Sequence, residues 1–193
     1  MIRDPHSELT SEMDSGENLL WAGRPKGGFL LRGSDVFMIP FSIFWCGFAI
    51  FWMVGASGAL WASEGETTPI NYIFPLFGLP FVLVGLYMVF GRFLVDKAQR
   101  EKTTYGVSSE RVIIKSGLFS STVKSLNLRT LSDITLKERK DGSGTITFGA
   151  SHPMFAMFEG MNWWPGTNQY QSPSFDSIRE AKKVYDTIRQ QLK

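Results

Sequence analysis

The sequence predicts an α-helical transmembrane hairpin followed by a mainly β domain, which a single C-terminal helix closes. Three observations predict this class. Two long stretches, residues 36–63 and 67–91, carry no Asp, Glu, Lys or Arg. From residue 103 onward, short runs alternate apolar and polar side chains, as half-buried strands do. The final stretch, residues 177–192, instead repeats its apolar residues at helical spacing.

The two uncharged stretches are long enough to cross a bilayer. They hold 28 and 25 residues, whereas a helix needs about 20 apolar residues to cross the hydrocarbon layer. We predict transmembrane helices over residues 36–61 and 70–91, joined by an external turn over residues 62–69. The alternative is one very apolar soluble core. Because the link is short, the helices should form an antiparallel hairpin. Neither span contains an Asp, Glu, Lys, Arg or His residue, which argues against a transporter.

Basic residues on both sides of the hairpin predict its orientation, because the link carries only Glu64 and Glu66 as charged residues. Positively charged flanks stay on the cytoplasmic side of a membrane. We therefore expect a multi-pass protein of the cytoplasmic (inner) membrane, with both termini in the cytoplasm. The predicted membrane-flanking basic residues are Arg24, Lys26, Arg32, Arg92, Lys97, Arg100 and Lys102.

The regions before and after the spans differ in charge. Residues 1–35 carry four basic and six acidic side chains, and residues 92–193 carry sixteen basic and ten acidic ones. We predict a polar, disordered tail over residues 1–20 and a juxtamembrane segment over residues 21–35. A modestly basic domain beside membrane spans suits an anionic lipid surface. The alternative is an ordinary solvated surface with a slight bias.

Residues 92–193 are predicted to form a curved antiparallel sheet or small barrel that one helix caps. Turn signals such as DGSG at residues 141–144 separate the strand-like runs. Ser177 and Glu180 have the separation of a capping box, which predicts that the helix begins there. The strand-like runs are residues 103–107, 111–117, 123–128, 133–138 and 145–149.

This plan resembles the bacterial pleckstrin-homology-like (PH-like) domain family. The stretch YGVSSERVIIKSG resembles the family's opening hairpin, and FDSIREAKKVYDTIR resembles its closing helix. GENLLWAGRPKGG, followed by RGSDVFMIPFSIFW, is similar to the segment that leads into a two-helix transmembrane hairpin in a membrane-anchored subset of the family. The resemblance implies a PH-like fold. It implies no particular ligand, because fold does not settle function.

An aromatic segment over residues 150–173 separates the last clear strand from the helix. Its aromatic side chains are candidates to enter the membrane interface or to line a groove for a partner. The alternative is that they cover one open end of the barrel. The candidate interface residues are Phe155, Phe158, Trp163 and Trp164.

The sequence predicts no catalytic residue, no metal site and no cofactor. His6 and His152 have no neighbouring ligand residues, and the glycine-rich DGSGT stretch lacks the Lys and the following helix of a phosphate loop. No combination of nucleophile, base and oxyanion donors is evident. Because basic and acidic residues are mixed, we expect no nucleic acid partner.

These observations favour a non-enzymatic adaptor that presents a PH-like domain at the cytoplasmic membrane face. Its expected partners are the lipid bilayer, together with a membrane protein or a second copy, and anionic lipid headgroups are a further candidate. Animal PH domains often hold phosphoinositides with Lys and Arg of the first hairpin loop, but here that turn carries only Arg111, beside Glu110. Protein binding or self-association is therefore favoured over a phosphoinositide pocket.

Two other hypotheses stay open. The chain could be an accessory subunit of a larger membrane complex, with its spans packed against a channel, a transporter or an enzyme. It could also be an enzyme whose site lies in residues 150–173.

Overall fold

The computed structural model describes residues 4–62, 69–118, 120–131, 133–149 and 172–192. The chain divides into two compact units. The β unit consists of Met1–Phe29 together with Asp96–Lys193, and the helical unit consists of Leu30–Val95. The helical unit is thus inserted into the sequence of the β unit.

The helical unit contains two long antiparallel helices, α2 (Asp35–Ala62) and α3 (Pro69–Leu86). A π-helical turn, Tyr87–Gly91, continues α3 directly into α4 (Arg92–Glu101). Residues 63–68, which make up most of the predicted external turn, lie outside the described residues. The helices start and end near the predicted span limits of 36–61 and 70–91, except that the second one runs on to residue 101.

Glycines set the close approach of α2 and α3. A Cβ atom at Gly85 would lie 2.8 Å from the Cβ of Cys46, and one at Gly78 would lie 3.1 Å from the ring of Trp52. Any larger side chain at Gly85 would therefore force the two helices apart. Small residues permit this kind of backbone approach between membrane helices.

The β unit contains two antiparallel sheets, with strand orders β1-β2-β3-β4 and β5-β6-β7. The C-terminal helix α5 covers Ala181–Gln191. The strands are β1 (Leu19–Gly23), β2 (Thr104–Ser108), β3 (Arg111–Ser116), β4 (Thr122–Asn127), β5 (Ile134–Glu138), β6 (Gly144–Phe148) and β7 (Ser174–Ile178). The five strands expected from alternation are confirmed as β2 to β6, and the closing helix is confirmed as α5.

One apolar core joins the two sheets and α5. The ring of Phe175 lies 4.6 Å from that of Tyr105 and 5.0 Å from that of Phe148, measured between centroids. Helix α5 contributes Ala181, Val184 and Ile188, which are buried against the strands. Among the described residues, those of this core all belong to the β unit.

The N-terminal residues correct one prediction. Residues 1–20 were expected to be a disordered tail, but the structure contains α1 (Pro5–Thr10) and then β1. Leu9 is completely buried, in a space that exists because residue 106 is glycine. A Cβ at Gly106 would lie 2.6 Å from a methyl carbon of Leu9. Strand β1 pairs with β2, with Trp21 opposite Val107.

The predicted domain limit at residue 92 is also wrong, because the pairing of β1 with β2 makes the N-terminal residues part of the β unit. The β unit takes in residues up to Phe29 and resumes at Asp96. Local sequence patterns do not reveal this, because β2, the partner strand of β1, comes after the whole helical unit in the sequence. The juxtamembrane segment predicted over residues 21–35 is therefore divided between a strand, a connection and the start of α2.

The predicted start of the C-terminal helix is also wrong. Ser177 lies in β7 and has a φ of 50°. Glu180 precedes the helix, has the same left-handed φ and makes no capping hydrogen bond through its side chain. The helix begins at Ala181, so the capping-box spacing was coincidental.

Candidate functional site

Arg92, a predicted membrane-flanking residue, forms a buried ion pair in the helical unit. Its guanidinium lies 2.9 Å from a carboxylate oxygen of Asp35, and the two side chains are only 2% and 10% exposed. The other oxygen of Asp35 accepts a hydrogen bond of 2.6 Å from the backbone N–H of Arg32. The pair therefore joins the first turn of α2 to the start of α4, and it takes Arg92 out of the set of surface cations.

Arg100 is buried in the same way within the β unit. Its guanidinium lies 2.9 Å from Asp96, one turn earlier on α4. It also donates hydrogen bonds of 2.6 Å to the carbonyls of Lys26 and Gly28. The planar five-donor group of arginine suits such a fork. Arg100 thus clamps the segment that leads out of β1 onto α4.

Lys26 connects this clamp to the turn between β5 and β6. Its ammonium lies 2.7 Å from Asp141, and its backbone N–H donates to the carbonyl of Ser177 over 2.7 Å. The hydrogen bond from Lys26, followed by those from the hydroxyl and the backbone N–H of Ser143, lowers the pKa of Asp141 below its ordinary value. The clamp, the turn and the end of β7 therefore lie side by side.

Arg24, Lys97 and Lys102 make partly exposed contacts within the β unit. Arg24 lies 2.9 Å from Glu8 of α1. Lys97 lies 3.8 Å from Glu101 on the next turn of α4, and Lys102 donates to a backbone carbonyl over 3.1 Å. The seven predicted cations are therefore of two kinds, because Arg92 and Arg100 hold the fold together and the others lie nearer the surface.

The turn between β2 and β3 is occupied by the N-terminal segment. Arg111 donates to both carboxylate oxygens of Glu17, at 3.0 and 2.8 Å, and lies 2.9 Å from Asp14. The hydroxyl of Ser108 donates to the same Glu17 carboxylate. The side chain of Glu17 is only 2% exposed.

Protonation of Glu17 is strongly affected by these contacts. Burial opposes ionisation, but the hydrogen bonds from Arg111 and Ser108 outweigh it and lower the pKa of Glu17 from 4.5 to about 2. The same pair raises the pKa of Arg111. The cation of this turn is thus neutralised by a carboxylate of its own chain, which fits the expectation that the turn is a poor anion pocket.

The aromatic residues proposed as an interface, Phe155, Phe158, Trp163 and Trp164, lie outside the described residues, as does His152. Within the residues that the structure does describe, no group of three His, Cys, Asp or Glu side chains is arranged to hold a metal ion.

The carboxylates that the structure adds to the predicted site residues include Glu17, Asp35, Asp96 and Asp141. Asp96 and Arg100 have the i,i+4 spacing of a helical ion pair, so this pair carried a local signal. Glu17 and Asp141 carried none, because their partners lie 94 and 115 residues away in the chain.

Comparison with known proteins supports the resemblance seen in the sequence. An uncharacterized 23.7 kDa protein in the puhA 5′ region of Rhodobacter capsulatus is 24% identical over 186 residues, which cover 94% of this chain and 82% of that protein. No solved structure matches the chain. The bacterial PH domain family matches residues 48–192, a stretch that begins within α2 and ends just after α5. Since that match covers more than half of the chain, the chain belongs to the bacterial PH domain family.

Proposed function

We propose that the protein is a non-enzymatic integral membrane protein that presents its PH-like domain at the cytoplasmic face of the membrane, where the domain binds a protein or lipid headgroups. The observation that carries this proposal is the outward surface of the helical unit. Asp35–Gly58 and Leu76–Glu101 are long and apolar enough to cross a membrane. In the most apolar 18-residue stretch of each, only 17% and 28% of the residues are buried.

The exposed side chains of these helices are large. Phe37, Phe44 and Phe51 on α2 are all more than 70% exposed, and Leu76 and Phe77 on α3 are more than 60% exposed. A side chain of this size gains about 1.5–3 kcal/mol when it leaves water. A core helix of a soluble protein would hide such residues, so a lipid environment accounts best for them.

Strand pairing supports placing both chain ends on the same side. Strand β1 precedes the helical unit and β2 follows it, yet the two strands are hydrogen-bonded neighbours. A bilayer cannot separate two paired strands, so an insertion between them must cross it an even number of times. Because the basic residues flank the insertion rather than occupy its middle, the cytoplasmic side is favoured.

Two charged pairs of the β unit have a structural role. Arg100 with Asp96, and Arg111 with Glu17, hold distant segments of chain together through hydrogen bonds. Charges committed to such contacts serve the fold.

Alkaline carbonate extraction of membranes tests the anchoring. The full-length chain should stay in the membrane pellet, whereas a peripheral control protein is released. Reporter domains fused to either end should be active only in the cytoplasm. Release of the intact chain, or an external reporter signal, would disprove this proposal.

A second candidate function is that of an accessory subunit in a larger membrane complex. It is favoured by three outward glycines on α2, because a Cβ at Gly47, Gly55 or Gly58 would meet nothing within 4 Å. Glycines on an outer helix face allow another helix to approach closely. A photo-crosslinking residue at Gly55 should then capture a membrane protein in fixed ratio, whereas one at the exposed Leu83 of α3 should capture lipid. Equal lipid capture at both positions would remove this candidate.

A further inference from the structure

A basic surface lies where the chain leaves the β unit for the helical unit. Three segments form it, namely Lys26, residues 137–141 at the β5–β6 turn, and residues 179–183 at the start of α5. Their contact is direct, because Lys26 pairs with Asp141 at 2.7 Å and the backbone N–H of Ala181 donates to the carbonyl of Gly142 over 3.2 Å. We call these three segments the junction patch.

The junction patch has a net charge of +4, from seven basic and three acidic residues. Its basic residues are Lys26, Lys137, Arg139, Lys140, Arg179, Lys182 and Lys183, and its acidic residues are Glu138, Asp141 and Glu180.

Two of the patch's acids are already engaged within it. Asp141 binds Lys26, and Glu180 lies 2.6 Å from Lys183. Lys140, Arg179 and Lys182 are exposed, and none of the three has a carboxylate partner among the residues described. These three cations are therefore available to an external anion.

The position of the patch in the β unit selects its partner. Arg100, near the end of α4, holds the carbonyls of Lys26 and Gly28, and the helical unit begins at Leu30. The turn between β2 and β3 lies at the other end of the five-residue strand β2, roughly 15 Å away at about 3.3 Å per residue. The cation of that turn, Arg111, is engaged by Glu17. The available cations thus lie at the end from which the chain enters the apolar helices.

Phe29 provides an apolar group at the same end. It is 69% exposed, and the ammonium of Lys97 lies 5.9 Å from the centre of its ring. Apolar side chains beside basic ones are typical of segments that bind the boundary between headgroups and acyl chains. The bases of a nucleic acid can also stack on such a ring, but the proposed membrane anchor favours a lipid surface as the partner.

We propose that the junction patch binds anionic phospholipid headgroups of the membrane in which the chain is anchored. This inference rests on the proposed function, because an anchored chain tethers the patch to the membrane and so raises its effective local concentration there. Each Lys or Arg near such a surface strengthens association by about fivefold. Removal of the three exposed cations should weaken it by on the order of 100-fold.

Lysine reactivity in nanodiscs tests the proposal with the full-length chain. Discs of neutral phosphatidylcholine are compared with discs that also contain phosphatidylglycerol, and modification by an amine-reactive ester is measured by mass spectrometry. Lys140 and Lys182 should react several-fold more slowly in the anionic discs, and high salt should restore their rates. Lys124 on β4 is the internal control and should react alike in both discs.

A charge-reversed variant completes the test. Lys140→Glu, Arg179→Glu and Lys182→Glu together should abolish the lipid-dependent protection of Lys183, whereas Arg129→Glu, an exposed change beside the far turn, should preserve it. Equal rates in the two kinds of disc would overturn the proposal. So would protection in neutral discs by added nucleic acid without protection in anionic ones. If only anchoring failed, the chain would not co-purify with discs of either composition.

Discussion

Replacement of Glu17 by Gln tests whether the N-terminal segment is held by the carboxylate pair with Arg111. The pKa of Glu17 falls from 4.5 to about 2 in the folded chain, and a tenfold change in a proton-binding constant corresponds to about 1.4 kcal/mol. The charged carboxylate therefore adds about 3 kcal/mol to the free energy of unfolding at pH 7. Because the folded pKa is the lower one, this contribution is full above pH 4.5 and is lost as the pH falls toward 2.

Urea titration of the full-length protein in non-ionic micelles, followed by near-ultraviolet circular dichroism, measures this contribution. Glu17→Gln should lower the free energy of unfolding of the β unit by about 3 kcal/mol at pH 7 and by only about 1.4 kcal/mol at pH 3. Glu12→Gln is the matched control. Its partner, Lys115, lies 2.8 Å away, but both side chains are about 30% exposed, so the change should cost less than about 1 kcal/mol. Equal effects of the two substitutions at pH 7, or a Glu17 effect independent of pH, would refute the reasoning.

Three further predictions concern buried contacts. Leu9→Ala should lower the free energy of unfolding of the β unit by about 2–5 kcal/mol, because the side chain is completely buried; Leu20→Ala, at an exposed position, should change little in the same urea titration. Gly85→Val should separate the two long helices and speed maleimide labelling of the chain's single cysteine in micelles, whereas Gly47→Ala, which has open space around it, should not. Asp35→Asn should destabilise the helical unit by about 3–5 kcal/mol in thermal unfolding, since it removes the carboxylate that lies 2.9 Å from a buried arginine. An effect below about 1 kcal/mol would show that water reaches that charge.

Local patterns in the sequence predicted the parts of the fold that local physics determines. Alternation of apolar residues identified β2 to β6, since each of these strands places alternate apolar side chains in or against the common core. Helical spacing identified α5, although its start was misplaced because Ser177 continues a strand. The long apolar helices followed from the absence of charge over residues 36–63 and 67–91.

The parts that were missed depend on contacts between distant residues. The first 20 residues look like a polar tail in the sequence. Two contacts order them, namely the packing of Leu9 against Gly106 and the ion pair of Glu17 with Arg111. Neither contact leaves a periodic signal. Charge counting likewise treats all basic residues alike, so it could not separate the buried Arg92 and Arg100 from exposed cations such as Lys140.

The pairing of β1 with β2 has a consequence for how the chain is made. Eighty residues lie between Gly23 and Thr104, so at about 5–20 residues per second the ribosome needs roughly 4–16 s to reach the partner strand. During that time both apolar helices are synthesised while the first strand stays incomplete. Under the proposed membrane anchoring, the helices therefore reach the bilayer before the strand that completes the first sheet is available.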